Sequence, residues 1–142
     1  MKGIKVTFKH NMPKKTQEAD TKFMLNSAIW LNKVANSFRN RILLGMQQTP
    51  KGETSERYNP RRTVQSSIVG NPPAIDTGRL ASSITIKRAF PSVTPKAEVF
   101  TTVKYAVPLE QSLMRYFMSK ESKAWQNTQK YMLTISKQLR IK

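Results

Sequence analysis

Few residues in this chain could carry out nucleophilic, acid–base or metal chemistry. It has no cysteine and a single histidine, His10, which excludes thiolate catalysis, a disulfide framework and a metal site built from several histidines. Two pairs of adjacent serines, Ser66 with Ser67 and Ser82 with Ser83, have no evident base to activate them. The carboxylates are scattered, and no glycine-rich loop with Lys-Ser or Lys-Thr suggests nucleotide binding. We therefore predict that the protein is not an enzyme and that it uses no cofactor or metal.

Positive charge is the strongest global signal. The chain carries 25 Lys and Arg against 8 Asp and Glu, a formal net charge of +17, and an isolated domain with this charge repels itself. We expect an acidic partner, and both nucleic acid, through phosphate contacts, and acidic proteins fit that description. The cations recur in the N-terminal arm, the central segment and the C-terminal region, which favours sequence-independent electrostatics or a solvated surface over the reading of bases.

The elements that must position these residues begin with a strand and a long helix. Alternation of apolar and polar residues predicts a strand over residues 3–9 with one buried face. The stretch from Phe23 to Met46 contains no proline and predicts a helix. Its apolar residues recur every three or four positions and should form one stripe that packs on the sheet. The stripe consists of Met24, Ala28, Leu31, Ala35, Phe38 and Ile42.

Two further strands and a second helix complete the predicted fold. Residues 83–90 and 97–103 are rich in β-branched side chains, and the proline-containing segment between them should join them as a hairpin. From Trp125 to Leu139 the apolar residues keep a helical period, and Trp125 is expected to anchor the core. We predict one α+β domain over residues 1–142, with both long helices packed on a small, mainly antiparallel sheet.

Residues 47–76 differ from the rest, since prolines lie among polar and basic residues with few apolar ones to bury. We predict a long extended loop, and connections of this length inside compact domains are usually functional or ordered by a partner. An interaction arm is the favoured interpretation, and a surface loop without a partner is the alternative. Tyr58, Arg61 and Arg62 could stack on or pair with a neighbour.

The run from Gly70 to Ile84 combines loop, helix and strand signals. Pro72 and Pro73 favour an extended backbone at its start. A short helical turn should follow, capped by a side chain just before it, with Leu80 buried and Arg79 exposed. The residues expected to build this turn are Asp76 or Thr77 as the cap, followed by Gly78 and Leu80.

This run resembles the tailed-phage neck proteins, the tail-completion or head-to-tail joining family, which includes proteins like minor tail protein Z. Members of that family carry Gly-x-Pro-Pro, Thr-Gly-Arg-Leu and Ser-Ile at similar spacing, as this chain does between Gly70 and Ile84. Further along, Tyr105 to Glu110 resembles the family's Tyr-Ala and Leu-Glu turn. Met114 to Phe117 resembles the Ala-Arg-Pro-Phe segment that leads into the family's last helix.

The resemblance implies a structural virion protein, made in the host cytoplasm, that forms a ring at the phage head–tail interface. The implied partners are copies of itself in a ring, a hexamer by resemblance, together with the head–tail connector, the tail tube proteins and DNA in the channel. The residues expected at subunit or partner contacts are Tyr58, Arg61, Arg62, Pro72, Pro73, Arg79, Glu110 and Arg115.

Two other interpretations stay open. The first is a sequence-independent nucleic-acid-binding protein, which would bind DNA strongly as a monomer, whereas a neck subunit would bind weakly until a ring forms. The second is an inhibitor or adaptor for an acidic enzyme. We expect no membrane partner, because no apolar run approaches the roughly 20 residues of a membrane span and the N-terminus lacks the apolar core of a signal peptide.

Overall fold

The computed structural model describes residues 3–9, 21–49, 51–58, 61–73, 78–92 and 94–140. The predicted α+β class is confirmed. In chain order the helices and strands are β1 (Ile4–Lys9), α1 (Thr21–Gln48), β2 (Lys51–Tyr58), β3 (Arg61–Ser67), α2 (Arg79–Ser83), β4 (Thr85–Lys87), β5 (Lys96–Thr101), α3 (Ala106–Gln111) and α4 (Lys123–Arg140).

A three-stranded antiparallel sheet with the strand order β1-β5-β4 forms one layer of the fold. β5 is central, and its Val99 pairs with Val6 of β1 on one side and with Ile86 of β4 on the other. Val99 and Phe8 are buried, because alternate residues of these strands face the helices. The predicted strand at 3–9 and the pairing of the predicted hairpin are confirmed, but β4 is limited to Thr85–Lys87 where residues 83–90 are predicted, because the chain up to Ser83 belongs to α2.

α1 provides most of the helical layer. It begins and ends two residues outside the predicted bounds, and most of the predicted stripe is buried. The buried members are Ala28, Leu31, Ala35, Phe38 and Ile42, whereas Met24 is half-buried. α1 packs against β5 and α4, so the apolar stripe serves the core, as the helical period indicates. Among the described residues, no helix is both long and apolar enough to cross a membrane.

Three aromatic rings from three elements meet at the centre of the core, and we call them the aromatic trio. Phe8 of β1 stacks on Trp125 of α4 with ring centroids 5.8 Å apart. Phe38 of α1 meets both rings edge-on, at centroid distances of 5.7 Å. Edge-to-face and offset-stacked arrangements are the favourable geometries for aromatic pairs. The predicted anchor role of Trp125 in the core is therefore confirmed.

The segment predicted as a loop at 47–76 contains regular structure. β2 and β3 pair antiparallel as a separate two-stranded sheet, with an irregular register between Lys51 and Thr54. The segment is extended, as predicted, but it is not a structureless connection. Its sequence lacks the apolar alternation of a core strand, and for that reason a loop is predicted. The two strands can form nevertheless, because their ladder is held by backbone hydrogen bonds, which polar residues form as well as apolar ones do.

The helical turn that follows is α2, and Gly78 occupies its N-cap position with φ +77°. That left-handed conformation is one that glycine adopts without steric cost. Leu80 is buried and Arg79 is exposed, as predicted. The predicted cap at Asp76 or Thr77 lies outside the described residues.

We expect Phe38→Ala to lower the free energy of unfolding by about 3–5 kcal/mol, because it removes a fully buried ring from the aromatic trio. Phe90→Ala is the matched control, since the Phe90 side chain is 76% exposed and its loss should cost less than about 0.5 kcal/mol. Urea denaturation measures both changes. Equal losses in the two variants would contradict the placement of Phe38.

Candidate interaction surface

The hairpin of β2 and β3 brings the predicted contact residues of the central segment together. Tyr58 pairs with Arg61 at the end of the ladder, and Arg57 pairs with Arg62 next to it. The sequence therefore places an aromatic residue and three arginines at the tip of one hairpin. The orientations of these side chains lie outside the described part of the structure. The backbone alone shows that they share one end of an extended element.

Two turns meet at the other end of the hairpin. After β3 the chain turns at Ile68 and Val69, and the backbone N–H of Gly70 donates to the carbonyl of Met114 at 2.8 Å. Ile68 and Val69 are about half exposed, and so are Leu113 and Met114 on the adjoining turn. We call these four apolar residues the base patch. Clustered exposed apolar side chains mark interaction sites more often than single ones do.

Met114 has a left-handed backbone with φ +51°, a conformation that costs a residue other than glycine about 1–2 kcal/mol. Hydrogen bonds on both sides hold it. The N–H of Leu113 donates to the carbonyl of Pro108 at 3.0 Å, and the N–H of Arg115 donates to the carbonyl of Leu109 at 2.8 Å. Strain of this kind persists where the surrounding structure over-determines it, and it is frequent at functional positions. Here it keeps an apolar side chain half exposed.

Glu110 organises the loop that carries part of the base patch. Its Oε1 atom accepts hydrogen bonds from the backbone N–H groups of Phe117 at 2.9 Å, of Met118 and of Ser119 at 3.1 Å. Phe117 and Met118 are buried, and Glu110 itself is only 6% exposed. A carboxylate that accepts several backbone N–H groups forms charge-assisted bonds, which are stronger than bonds between neutral groups.

The resemblance implies a partner contact at Glu110, but the structure buries this residue and gives it an intramolecular role. The physical reason is that the loop after α3 has no regular structure, so its amides need an acceptor inside the chain. Arg115 is half-buried, and its Nη1 atom is enclosed without a hydrogen-bond partner among the described residues. Of the predicted contact residues outside the hairpin, Arg79 is the one that the structure places on an exposed surface.

Pro72 and Pro73 fasten the chain after the hairpin to the end of α1. The carbonyl of Pro72 accepts a hydrogen bond from Thr49 Oγ1 at 2.8 Å, and Pro73 is buried. The Pro72 ring lies so close to Gly45 that a side-chain carbon there would come within 3.3 Å of it. These contacts hold the chain that follows the hairpin against the end of α1.

The start of α4 is fixed by a cap that the sequence analysis does not predict. Ser122 Oγ accepts from the N–H of Trp125 at 3.2 Å and donates to the carbonyl of Ser119 at 2.7 Å. The signal was a serine directly before the helical period. Next to it, Glu121 is fully exposed, and a hydrogen bond with its own backbone lowers the pKa of its carboxyl.

The sequence analysis does not predict the base patch either. Its signal was two pairs of adjacent apolar residues, Ile68 with Val69 and Leu113 with Met114, which lie outside every periodic segment.

Comparison of the chain with protein-family models, with curated proteins and with solved structures finds no match. Among the described residues, no three His, Asp or Glu side chains are grouped as a metal site would need. The described part of the structure contains three adjoining features: a separate hairpin, a half-exposed apolar patch at its base, and a buried carboxylate that holds the neighbouring loop.

We expect Glu110→Gln to lower the free energy of unfolding by about 1.5–3 kcal/mol, because a neutral amide oxygen replaces the charged acceptor of three backbone hydrogen bonds, two of them buried. Glu121→Gln makes the same chemical change on a fully exposed side chain and should change stability far less than Glu110→Gln does. Thermal and urea unfolding check both variants. If Glu110→Gln is as stable as the parent, the carboxylate does not hold the loop.

Proposed function

We propose that this protein is a structural subunit of a tailed-phage virion, which assembles with copies of itself into a ring at the neck and joins the tail to the head. The observation that carries the proposal is the hairpin of β2 and β3. Among the described residues its two strands form a sheet of their own, and they contact each other more than any other element. Because an isolated two-stranded hairpin is marginally stable in water, this one is suited to become ordered against a neighbour.

The base patch supports a protein neighbour for the hairpin. Its four side chains are apolar and half exposed, and the hydrogen bond from Gly70 to Met114 holds the two turns together. A hairpin and patch on one subunit that meet a different surface on the next would form a heterologous contact. Such a contact produces a closed ring when its rotation closes.

The resemblance to neck proteins is supported by how its residues are arranged. The Tyr-Ala and Leu-Glu turn ends in Glu110, and the segment that resembles Ala-Arg-Pro-Phe ends in Phe117. The Glu110 carboxylate accepts a hydrogen bond from the Phe117 backbone at 2.9 Å. Two separate parts of the resemblance therefore meet in one structural unit, which also positions the base patch. In this proposal the connector and tail tube proteins of the virion are the further partners.

Replacing residues 51–67 by a short Gly-Ser linker should leave a folded protein that no longer self-associates or enters particles. The core is built by the three-stranded sheet, α1 and α4, so circular dichroism should show retained helix. Sedimentation velocity and particle incorporation measure the loss. Normal incorporation of the shortened protein would overturn the proposed role of the hairpin.

Val69→Ser combined with Leu113→Ser should weaken self-association by on the order of tenfold or more, because each change removes apolar area from the proposed contact. Leu133→Ser is the control, since Leu133 is a leucine on α4 that is at least as exposed as Val69 and Leu113 and lies outside the base patch. The dissociation constant from sedimentation equilibrium distinguishes them. Equal weakening of self-association by the control would show that the loss of any exposed leucine has this effect and that the base patch is not the contact.

A further inference from the structure

A continuous trough crosses the layer formed by α1 and α4. It consists of two adjoining depressions, an open one of about 470 Å³ and a deeper one of about 240 Å³. Both are lined by Arg41 and Leu44, so they form one surface. The first extends along α1 to Lys33, and the second extends to Lys123 in the first turn of α4.

The polar groups along this trough are cations and neutral hydrogen-bond donors, and they lie among apolar groups that make up most of its lining. The cations are Lys33, Arg41 and Lys123, and the principal amides are Asn36, Asn40 and Asn127. Among the described residues that line it there is no carboxylate. The sequences of the two helices agree with this, because α1 and α4 together contain eight Lys and Arg and no Asp or Glu.

The outer face of the sheet is different, because it contains its own counter-charge. Glu98 of β5 lies 3.6 Å from the Nζ atoms of both Lys5 and Lys96. No carboxylate of the described chain forms such a pair with Lys33 or Lys123. Within the described part of the chain, the charge of these two lysines is therefore not neutralised by direct pairing and is available to an external anion.

Arg41 is held across the trough before any ligand arrives. Its Nε atom donates to Ser37 Oγ at 3.1 Å, and its guanidinium carbon lies 5.7 Å from the centre of the Tyr131 ring. A guanidinium over an aromatic ring is a favourable cation–π arrangement. The planar set of N–H donors on the Arg41 guanidinium also matches the geometry of phosphate oxygens. Pre-ordering of this side chain reduces the entropy that binding would otherwise cost.

We propose that the trough binds the phosphate backbone of a nucleic acid without reading its sequence. From Lys33 to Arg41 is about 12 Å along the helix axis, a length over which a duplex strand presents about three or four phosphates. A nucleic acid is favoured over an acidic protein because the polar part of the lining is strongly positive, as at nucleic-acid interfaces, and the Arg41 guanidinium matches phosphate geometry. The apolar part of the lining includes Leu44, which is half exposed, and Ile42 and Phe117, which are buried. The inference concerns a single subunit and does not require a ring.

Fluorescence anisotropy with a labelled, mixed-sequence DNA duplex tests this inference on the full chain at salt concentrations from about 50 to about 200 mM. Lys33→Gln combined with Lys123→Gln should make the negative slope of log affinity against log salt shallower by about 1.8, since each lost phosphate contact removes about 0.9. Lys9→Gln combined with Lys87→Gln is the control, because it removes the same charge from exposed positions on β1 and β4. This control pair should leave the slope unchanged.

Three results would overturn the inference. The first is a parent protein that does not bind the duplex at about 50 mM salt. The second is equal weakening by the trough pair and the control pair, which would mean that total charge alone matters. The third is loss of binding to polyglutamate, but not to DNA, in the trough pair, which would assign the surface to an acidic protein. Self-association is measured without DNA. A failure of DNA binding therefore does not contradict the neck proposal, and a failure of self-association does not contradict DNA binding by the trough.

Discussion

The contact among Phe8, Phe38 and Trp125 is the interaction on which the other surfaces of this protein depend. Each ring belongs to a different element, so the trio fixes β1, α1 and α4 relative to one another, with centroid distances of 5.7 to 5.8 Å. Aromatic pairs contribute about 0.5–1.5 kcal/mol beyond the burial of their area. With α4 held across α1, the trough acquires two walls. With β1 held in place, β5 has a partner on each side and the sheet can form.

A second constraint fixes the irregular part of the chain between α3 and α4. Backbone amides in that stretch have no helix or strand to pair with, and burial without a partner would cost free energy. Glu110 satisfies three of them, and Ser122 caps α4 directly afterwards. The chain has few acids, and at least two of those described act within it, since Glu98 pairs with lysines and Glu110 binds backbone. Glu98 balances lysines on the face of the sheet and Glu110 acts inside the loop, and neither carboxylate lines the trough.

The sequence predicts those elements whose side chains alternate between core and solvent. β1, the stripe of α1 and the hairpin of β4 and β5 have that alternation, and Trp125 stands in a helical period, so their placement follows from local pattern. Residues 51–67 lack that pattern, so a loop is predicted there, whereas β2 and β3 pair with each other as a separate sheet. The role of Glu110 could not be found either, because its partners lie seven to nine residues away in a segment without a period. The base patch depends on one backbone bond between Gly70 and Met114, distant residues that no local pattern connects.

The two proposed activities are linked by charge. Copies with a net charge of +17 repel one another, so ring formation works against electrostatics unless salt or a polyanion screens the subunits. Salt should therefore favour self-association through the hairpin and base patch, while it weakens phosphate binding in the trough. Opposite responses to salt separate the two activities in one protein. Because an anionic strand in the trough would also lower the repulsion between neighbouring subunits, each activity would assist the other when both are present, which is the reciprocity that linked binding equilibria require.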